Sequence, residues 1–199
     1  MLPGDLILQD RGYGRAGNLA HASDQGARFI SRIGWRALKL VDASDAPFDM
    51  APFDIIAALP HSGPELVELP VAVVHKTRKI PMRLIIKRKS QEAASHERKR
   101  RDSKARKNGQ VNDPRTIKAA GFGIYLTSLS PSEASAQDVV RLYTMRWQIE
   151  LAFKRLKSLG GFDELRASDP RLVKTWLLAH LIAAVLVEAS ISEELDSPP

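Results

Sequence analysis

The pattern of apolar and polar positions changes character twice along the chain. Leu6-Ile7-Leu8-Gln9 is a short apolar run of the kind buried as a strand, and the glycines of Asp10-Arg11-Gly12-Tyr13-Gly14 predict a turn after it. Residues 18–25 predict a short helix, and 27–33 alternate like a second strand. Strand, turn, helix, strand is an α/β opening. The middle is richer in β-formers: 37–41, 66–75, 81–87 and 123–127 predict strands separated by polar or Pro-bearing breaks. The spacing predicts a mainly antiparallel β segment over about 35–131. The last third reads as helical. Ser132 can cap a helix reaching about Leu159, with a break near its start, and Gly160-Gly161 ends it. Pro170 opens an apolar helix through about Ala189, and Ser197-Pro198-Pro199 reads as a frayed tail.

Composition adds a partner class. The chain has 199 residues, 44% of them hydrophobic, enough for one sizeable core or one core with a large insertion. Thirty Lys and Arg against 23 Asp and Glu leave a net charge of +7, which favours polyanions. The charge is concentrated. Residues 87–107 hold ten basic and three acidic side chains, a net +7 that matches the whole chain. That run reads either as an exposed helix or as a disordered arm, and a merely solvated charge run is its plain alternative. The absence of cysteine excludes disulfides, thiolate metal sites and a cysteine nucleophile. The first residues do not read as a signal peptide. The longest near-apolar run, 176–187, is interrupted by His180 and is too short to span a membrane, so it predicts a buried helix in a cytoplasmic chain. His75, His96 and His180 have no metal-ligand spacing, and Trp147 and Trp176 are expected to pack the helical end.

The chemistry concentrates on the long helix predicted from Ser132. At about 100° per residue, Tyr143, Arg146, Glu150 and Lys157 fall within an arc of roughly 60°, a stripe about 21 Å long. Leu142, Ile149, Phe153 and Leu156 form an apolar seam beside it. Such a stripe is compatible with an ordinary solvated face, on which Glu150 and Lys154 make a weak surface pair. It also suits phosphate: Arg and Lys grip it, Tyr can hydrogen-bond it, and the carboxylate can hold a divalent cation there.

Tyr143-x2-Arg146-x3-Glu150-x6-Lys157 resembles the YREK signature of DDE transposases of the bacterial insertion sequence four family, and the flanking residues from Leu142 to Lys154 are similar as well. Gly4-Asp5-Leu6-Ile7-Leu8-Gln9-Asp10-Arg11-Gly12-Tyr13 resembles the family segment that carries the second catalytic aspartate at a strand end. The order of elements matches too, and the likeness is weakest over 42–64 and along the basic run. The resemblance implies an α/β fold: an incomplete ribonuclease H-like core (1–34) with the second aspartate, a mainly antiparallel β insertion (35–131) with the basic run, and a C-terminal helical segment (132–199) with the glutamate.

The resemblance further implies cut-and-paste cleavage and strand transfer on double-stranded transposon ends, by two divalent ions, Mg²⁺ or Mn²⁺, held on carboxylates. Asp10 and Glu150 would be catalytic and metal-binding; Tyr143, Arg146 and Lys157 would bind DNA. Arg11 is a further candidate beside Asp10. Trp35 sits roughly where some members carry a base-stacking aromatic, with ordinary packing as the alternative. The family's first aspartate lies on an upstream strand, and only nine residues precede Asp10. The expectation is therefore a truncated form, inactive alone and nucleoid-associated, that pairs as a homodimer or with intact transposase. The alternative is a non-catalytic DNA-binding fragment or an inhibitor of intact transposase.

Overall fold

The computed structural model describes residues 2–42, 51–60, 63–160 and 169–196. The chain separates into two compact units, Met1–Thr144 and Met145–Pro199. Met1–Thr144 is built on one six-stranded sheet in the order β1-β2-β6-β5-β4-β3. The strands are β1 (Leu6–Gln9), β2 (Arg28–Arg32), β3 (Leu40–Asp42), β4 (Leu66–His75), β5 (Arg78–Arg88) and β6 (Phe122–Thr127). β1 and β2 are parallel, joined through helix α1 (Ala16–Asp24); every other pair is antiparallel. The expected α/β opening and antiparallel middle are both present. They share a single sheet, because β2 pairs directly with β6, Ile30 opposite Thr127.

Period-two alternation gives the sheet two apolar faces. Phe29, Leu84, Ile86, Ile124 and Leu126 point to one core with Leu19 of α1 and Ile55 and Ile56 of α2 (Pro52–Ala58). Ile30, Ile85 and Tyr125 point to the other, where Val139, Val140 and Tyr143 of α5 (Ala136–Gly160) cover them. Leu84, Ile85 and Ile86, three consecutive residues, are all fully buried, which is the signature of a strand covered on both sides.

Three helices lie inside the segment expected to be mainly β. The basic run forms α3 (Gln91–Lys107), whose Ser90 N-cap oxygen accepts the Ala93 N–H at 3.2 Å. Helix α2 and helix α4 (Pro114–Ala119) each begin with proline, whose missing N–H costs nothing in a first turn. Neither was legible as an amphipathic pattern because six or seven residues complete fewer than two turns. Residues 43–50 and 61–62 lie outside the described residues.

The cap of α5 is Ser135, three residues later than expected. Ser135 Oγ accepts the Asp138 N–H at 3.1 Å, while the Asp138 carboxylate accepts the Ser135 hydroxyl at 2.6 Å and its N–H at 3.3 Å. Ser132 instead belongs to a preceding turn in which Glu133 accepts the Ser130 N–H at 2.7 Å. This turn is the break anticipated near the helix start.

In Met145–Pro199 the second long helix, α6, runs Pro170–Asp196. The apolar run expected to be buried is exposed at Leu178, Leu181, Ile182, Val185 and Leu186. A helix apolar around most of its circumference needs partners on several sides, and the described residues do not cover all of them. Trp147 is likewise exposed rather than packed, whereas half-buried Trp176 lies 3.9 Å from the His180 ring, centroid to centroid. Among the described residues, no helix is long and apolar enough to cross a membrane. The expected helix-ending Gly161 and the tail 197–199 lie outside the described residues.

Candidate functional site

Asp10 follows the last residue of β1 and is exposed. In open α/β sheets the C-terminal ends of parallel strands are where ligands bind, because the chain leaves the sheet there and side chains converge. Asp10 Oδ1 accepts the Arg11 N–H at 2.6 Å, and its carbonyl accepts the Tyr13 N–H at 3.0 Å, fixing the turn. Its Oδ2 has no hydrogen-bond partner among the described residues. Gly14 closes the turn against β2. A Cβ there would sit 2.9 Å from Ile33 Cγ2 and 3.2 Å from the Arg32 carbonyl oxygen, so glycine lets the turn lie flat on the strand.

Helix α5 carries the other four candidates, and the boundary between the compact units falls within it, after Thr144. Tyr143 is buried in the second core, its ring edge-on to Tyr125 at a centroid distance of 5.2 Å. Arg146 Nη1 meets Glu150 Oε1 at 2.6 Å, one helical turn on, with Arg146 the more buried partner. The ion pair expected of Glu150 thus forms with Arg146. Lys157 is exposed. The side chains of Ile149, Phe153 and Leu156 lie outside the described residues. The structure therefore brings Arg146 and Glu150 together, and describes Asp10 and Tyr143 within the other unit. Among the described residues, no group of three or more His, Cys, Asp or Glu gathers as a metal site.

A second constellation was not foreseen. Glu97 of α3 accepts from Arg100 at 2.9 and 3.0 Å and from Arg101 at 2.9 Å. Burial pushes its carboxyl up, but the Arg100 hydrogen bonds and the charges of Arg101, Arg100 and Lys89 outweigh burial and bring it down to about 2. The same neighbourhood holds Arg11 and Arg32. Burial first, then the like charges of Arg32 and Arg101, lower the Arg11 guanidinium below its ordinary value. Lys89 is lowered chiefly by burial, and its Nζ donates to the Ala120 carbonyl at 2.9 Å.

An open cleft of about 350 Å³ lies beside this cluster. Its apolar floor includes Ile33, Ala119, Phe122 and Ile124, and Arg11, Arg36 and Arg101 reach it from three separate segments. Trp35 forms one wall. It packs 5.3 Å from Phe53, centroid to centroid, and carries the Arg36 guanidinium 4.3 Å from its ring centre. Arg36 is also held by Asp113 at 2.6 Å. The sequence signals for this assembly were the density of charge in 87–107 and the separate candidates Arg11 and Trp35; which cations converge is set by the fold.

The family model of the transposase DDE domain matches residues 1–186. The chain is 36% identical to the transposase for insertion sequence element IS421 of Escherichia coli, over 98% of this chain and 53% of that protein. It is 24% identical to the transposase for insertion sequence element IS231F of Bacillus thuringiensis subsp. israelensis, over 95% of this chain and 42% of the relative. The transposase for insertion sequence element IS1151 of Clostridium perfringens is 25% identical over 92% of this chain and 41% of its own length. The chain thus spans about half the length of the curated relatives it matches.

Proposed function

The chain belongs to the transposase DDE-domain family, and we propose that it is the part of a DNA transposase that contributes the second and third catalytic acids, Asp10 and Glu150. The observation that carries this reading is the placement of an exposed aspartate at the end of a parallel strand, in a chain whose long helix presents the Arg146–Glu150 pair. The donors fit a divalent cation chemically: carboxylate oxygens are hard ligands for Mg²⁺ or Mn²⁺, and Asp10 Oδ2 is open among the described residues. When bound, two such ions supply charge at the attacking and leaving oxygens of an in-line phosphodiester displacement.

This chain's own residues bind and orient. Arg146 holds Glu150 in place through their 2.6 Å contact, and the planar fork of a guanidinium matches the geometry of a phosphate. Lys157, two turns beyond Glu150 and exposed, adds a second phosphate contact on the same helix. Tyr143 packs its ring on Tyr125 and so anchors the first turns of α5 within Met1–Thr144. The turn held by Asp10 and Gly14 fixes the aspartate relative to β2. The partner is double-stranded DNA at transposon ends, engaged by a homodimer or together with intact transposase.

With two of the three acids, the chain is expected to bind DNA and to cleave it little on its own. The test is fluorescence anisotropy with a terminal-repeat duplex, alongside a nicking assay with Mg²⁺. Arg146→Ala and Lys157→Ala should each weaken binding by about 1 kcal/mol or more, and each should flatten the salt dependence by about one unit of log–log slope. Unchanged binding in both variants would remove the stripe from the DNA interface. Specific Mg²⁺-dependent cleavage by the chain alone would show that two acids suffice.

A further inference from the structure

We infer that the cleft bounded by Arg11, Arg36 and Arg101 is a phosphate-binding site that holds a DNA strand beside Asp10, separately from the contacts proposed for α5. The inference rests on the reading of DNA as the partner and adds a second place where it is gripped.

The arrangement is costly for a protein that binds no anion there. Three guanidiniums from three segments line one cleft, and among the described residues no carboxylate lines it. Arg32 and Lys89 add their charges to the same neighbourhood. The compensating acids are Glu97, already shared by Arg100 and Arg101, and Asp113, shared by Arg36 and Arg115. Among the described residues neither Arg11 nor Arg32 has a carboxylate within ion-pair distance, and Arg32 Nε is buried with no hydrogen-bond partner. Like charges brought this close, partly out of water, repel more strongly than on an open surface. A bound phosphodiester would remove that repulsion and give the Arg11 guanidinium a two-oxygen partner of matching geometry.

The cleft also has the form of a strand site rather than of a small-anion site. It is open, and it continues onto α3, which carries exposed Lys99, Lys104, Arg106 and Lys107. Further cations on a helix that lines the cleft suit an extended polyanion. Arg11 follows Asp10 directly in the chain, so a strand held by its side chain passes next to the proposed metal-binding acid.

The test measures binding of a fluorescein-labelled random-sequence duplex to the full chain across a range of KCl concentrations. The cleft variant is Arg11→Gln with Arg101→Gln. The control is Arg78→Gln with Lys79→Gln at the opposite end of β5, and the stripe variant is Arg146→Gln with Lys157→Gln. The cleft variant should bind about tenfold more weakly or worse, with a log–log salt slope shallower by about 1 to 2. The control, which removes the same charge, should change affinity less than about threefold. If the Arg101 change melts the chain early, Arg11→Gln alone, in the exposed turn, carries the test with an expected slope change of about 1. Equal losses in cleft and control variants would reduce the cleft to diffuse charge and overturn the inference. A stripe variant that weakens binding while the cleft variant does not would overturn it and leave the DNA reading standing. A wild-type chain that binds no DNA would overturn both.

Discussion

Arg83 offers the sharpest test of how the sheet holds the start of α5. It lies in β5, only 7% exposed, on the face that packs against the first turns of that helix. Its Nε donates to Glu68 at 2.6 Å, and its Nη1 donates to the carbonyls of Leu129 and Ala134, each at 2.9 Å. Those carbonyls belong to the turn that launches α5, so one guanidinium ties strand β5, strand β4 and the helix entry together. Arg83→Met keeps most of the volume and removes three charge-assisted hydrogen bonds, leaving two backbone carbonyls and one carboxylate short of a partner. Each lost bond to a charged group costs about 1.5 to 3 kcal/mol, offset by no longer burying a guanidinium, so the net loss is on the order of 3 kcal/mol. For a unit the size of Met1–Thr144, with an unfolding entropy near 0.3 kcal/mol per kelvin, that lowers the melting temperature by about 10 °C. Circular dichroism melts of wild type, Arg83→Met, Glu68→Gln and the double variant measure it. The pair should show a coupling of about 1 kcal/mol. Arg83→Lys should recover only part of the loss, since one ammonium cannot span three acceptors in fixed directions. A shift in Arg83→Met below about 2 °C would refute the reasoning, because it would mean that methionine packs there as well as the buried ion does.

Other expectations follow from local geometry. Ser135→Ala removes the α5 cap and should destabilise Met1–Thr144 by about 1 kcal/mol in urea unfolding, whereas Ser132→Ala should cost much less. Gly14→Ala drives a Cβ to 2.9 Å from Ile33 and 3.2 Å from the Arg32 backbone; a loss of about 1 to 3 kcal/mol is expected from the overpacking. Glu97, held at about 2 against an ordinary 4.5, has a depressed folded-state pKa. Its stabilising contribution is therefore complete above about pH 4.5 and is lost as the pH falls toward 2. Urea midpoints of wild type and Glu97→Gln should differ at about pH 6, differ less near pH 3 and converge toward pH 2, and a constant difference would assign the effect to packing.

What the sequence made legible is what a short local pattern can carry. The alternation in 66–75 located β4 to the residue, and the heptad-scale recurrence of Tyr143, Arg146, Glu150 and Lys157 placed them on one helix. The turn after β1 was readable from its glycines, and Gly14 packs as that reading requires. Short helices α2 and α4 were not readable, because a turn and a half of helix has no periodicity to recognise. The cap of α5 was misplaced because 130–135 offers three serines and one acid within six residues, and only the fold decides which oxygen faces the helix N–H groups. Register was invisible as well. That β2 would pair with β6, and so fuse the α/β opening with the antiparallel strands, depends on partners nearly a hundred residues apart.

The basic run shows how tertiary structure sorts a charge that composition can only count. Some of its cations are structural. Lys89 Nζ donates to the Ala120 carbonyl at 2.9 Å and Arg98 Nε to the Ile117 carbonyl at 3.4 Å, both at the C-terminal end of α4, where unpaired carbonyls and the helix dipole favour cations. Arg88 similarly donates to the Pro60 carbonyl at 2.7 Å. Arg98 thus ties α3 itself to α4, while Arg88 and Lys89 fix the chain leading into a helix that has one buried residue, Ala94, and therefore almost no hydrophobic anchor of its own. Arg101 is turned by Glu97 toward the cleft, and Lys99, Lys104, Arg106 and Lys107 remain exposed. A helix held by its cations rather than by apolar burial can keep nearly its whole circumference polar, and that is the condition for presenting an unbroken basic surface to a polyanion. Neutralising Lys89 and Arg98 should therefore loosen α3 and weaken DNA binding indirectly, with a loss of helical signal that the Arg11 substitution leaves unchanged.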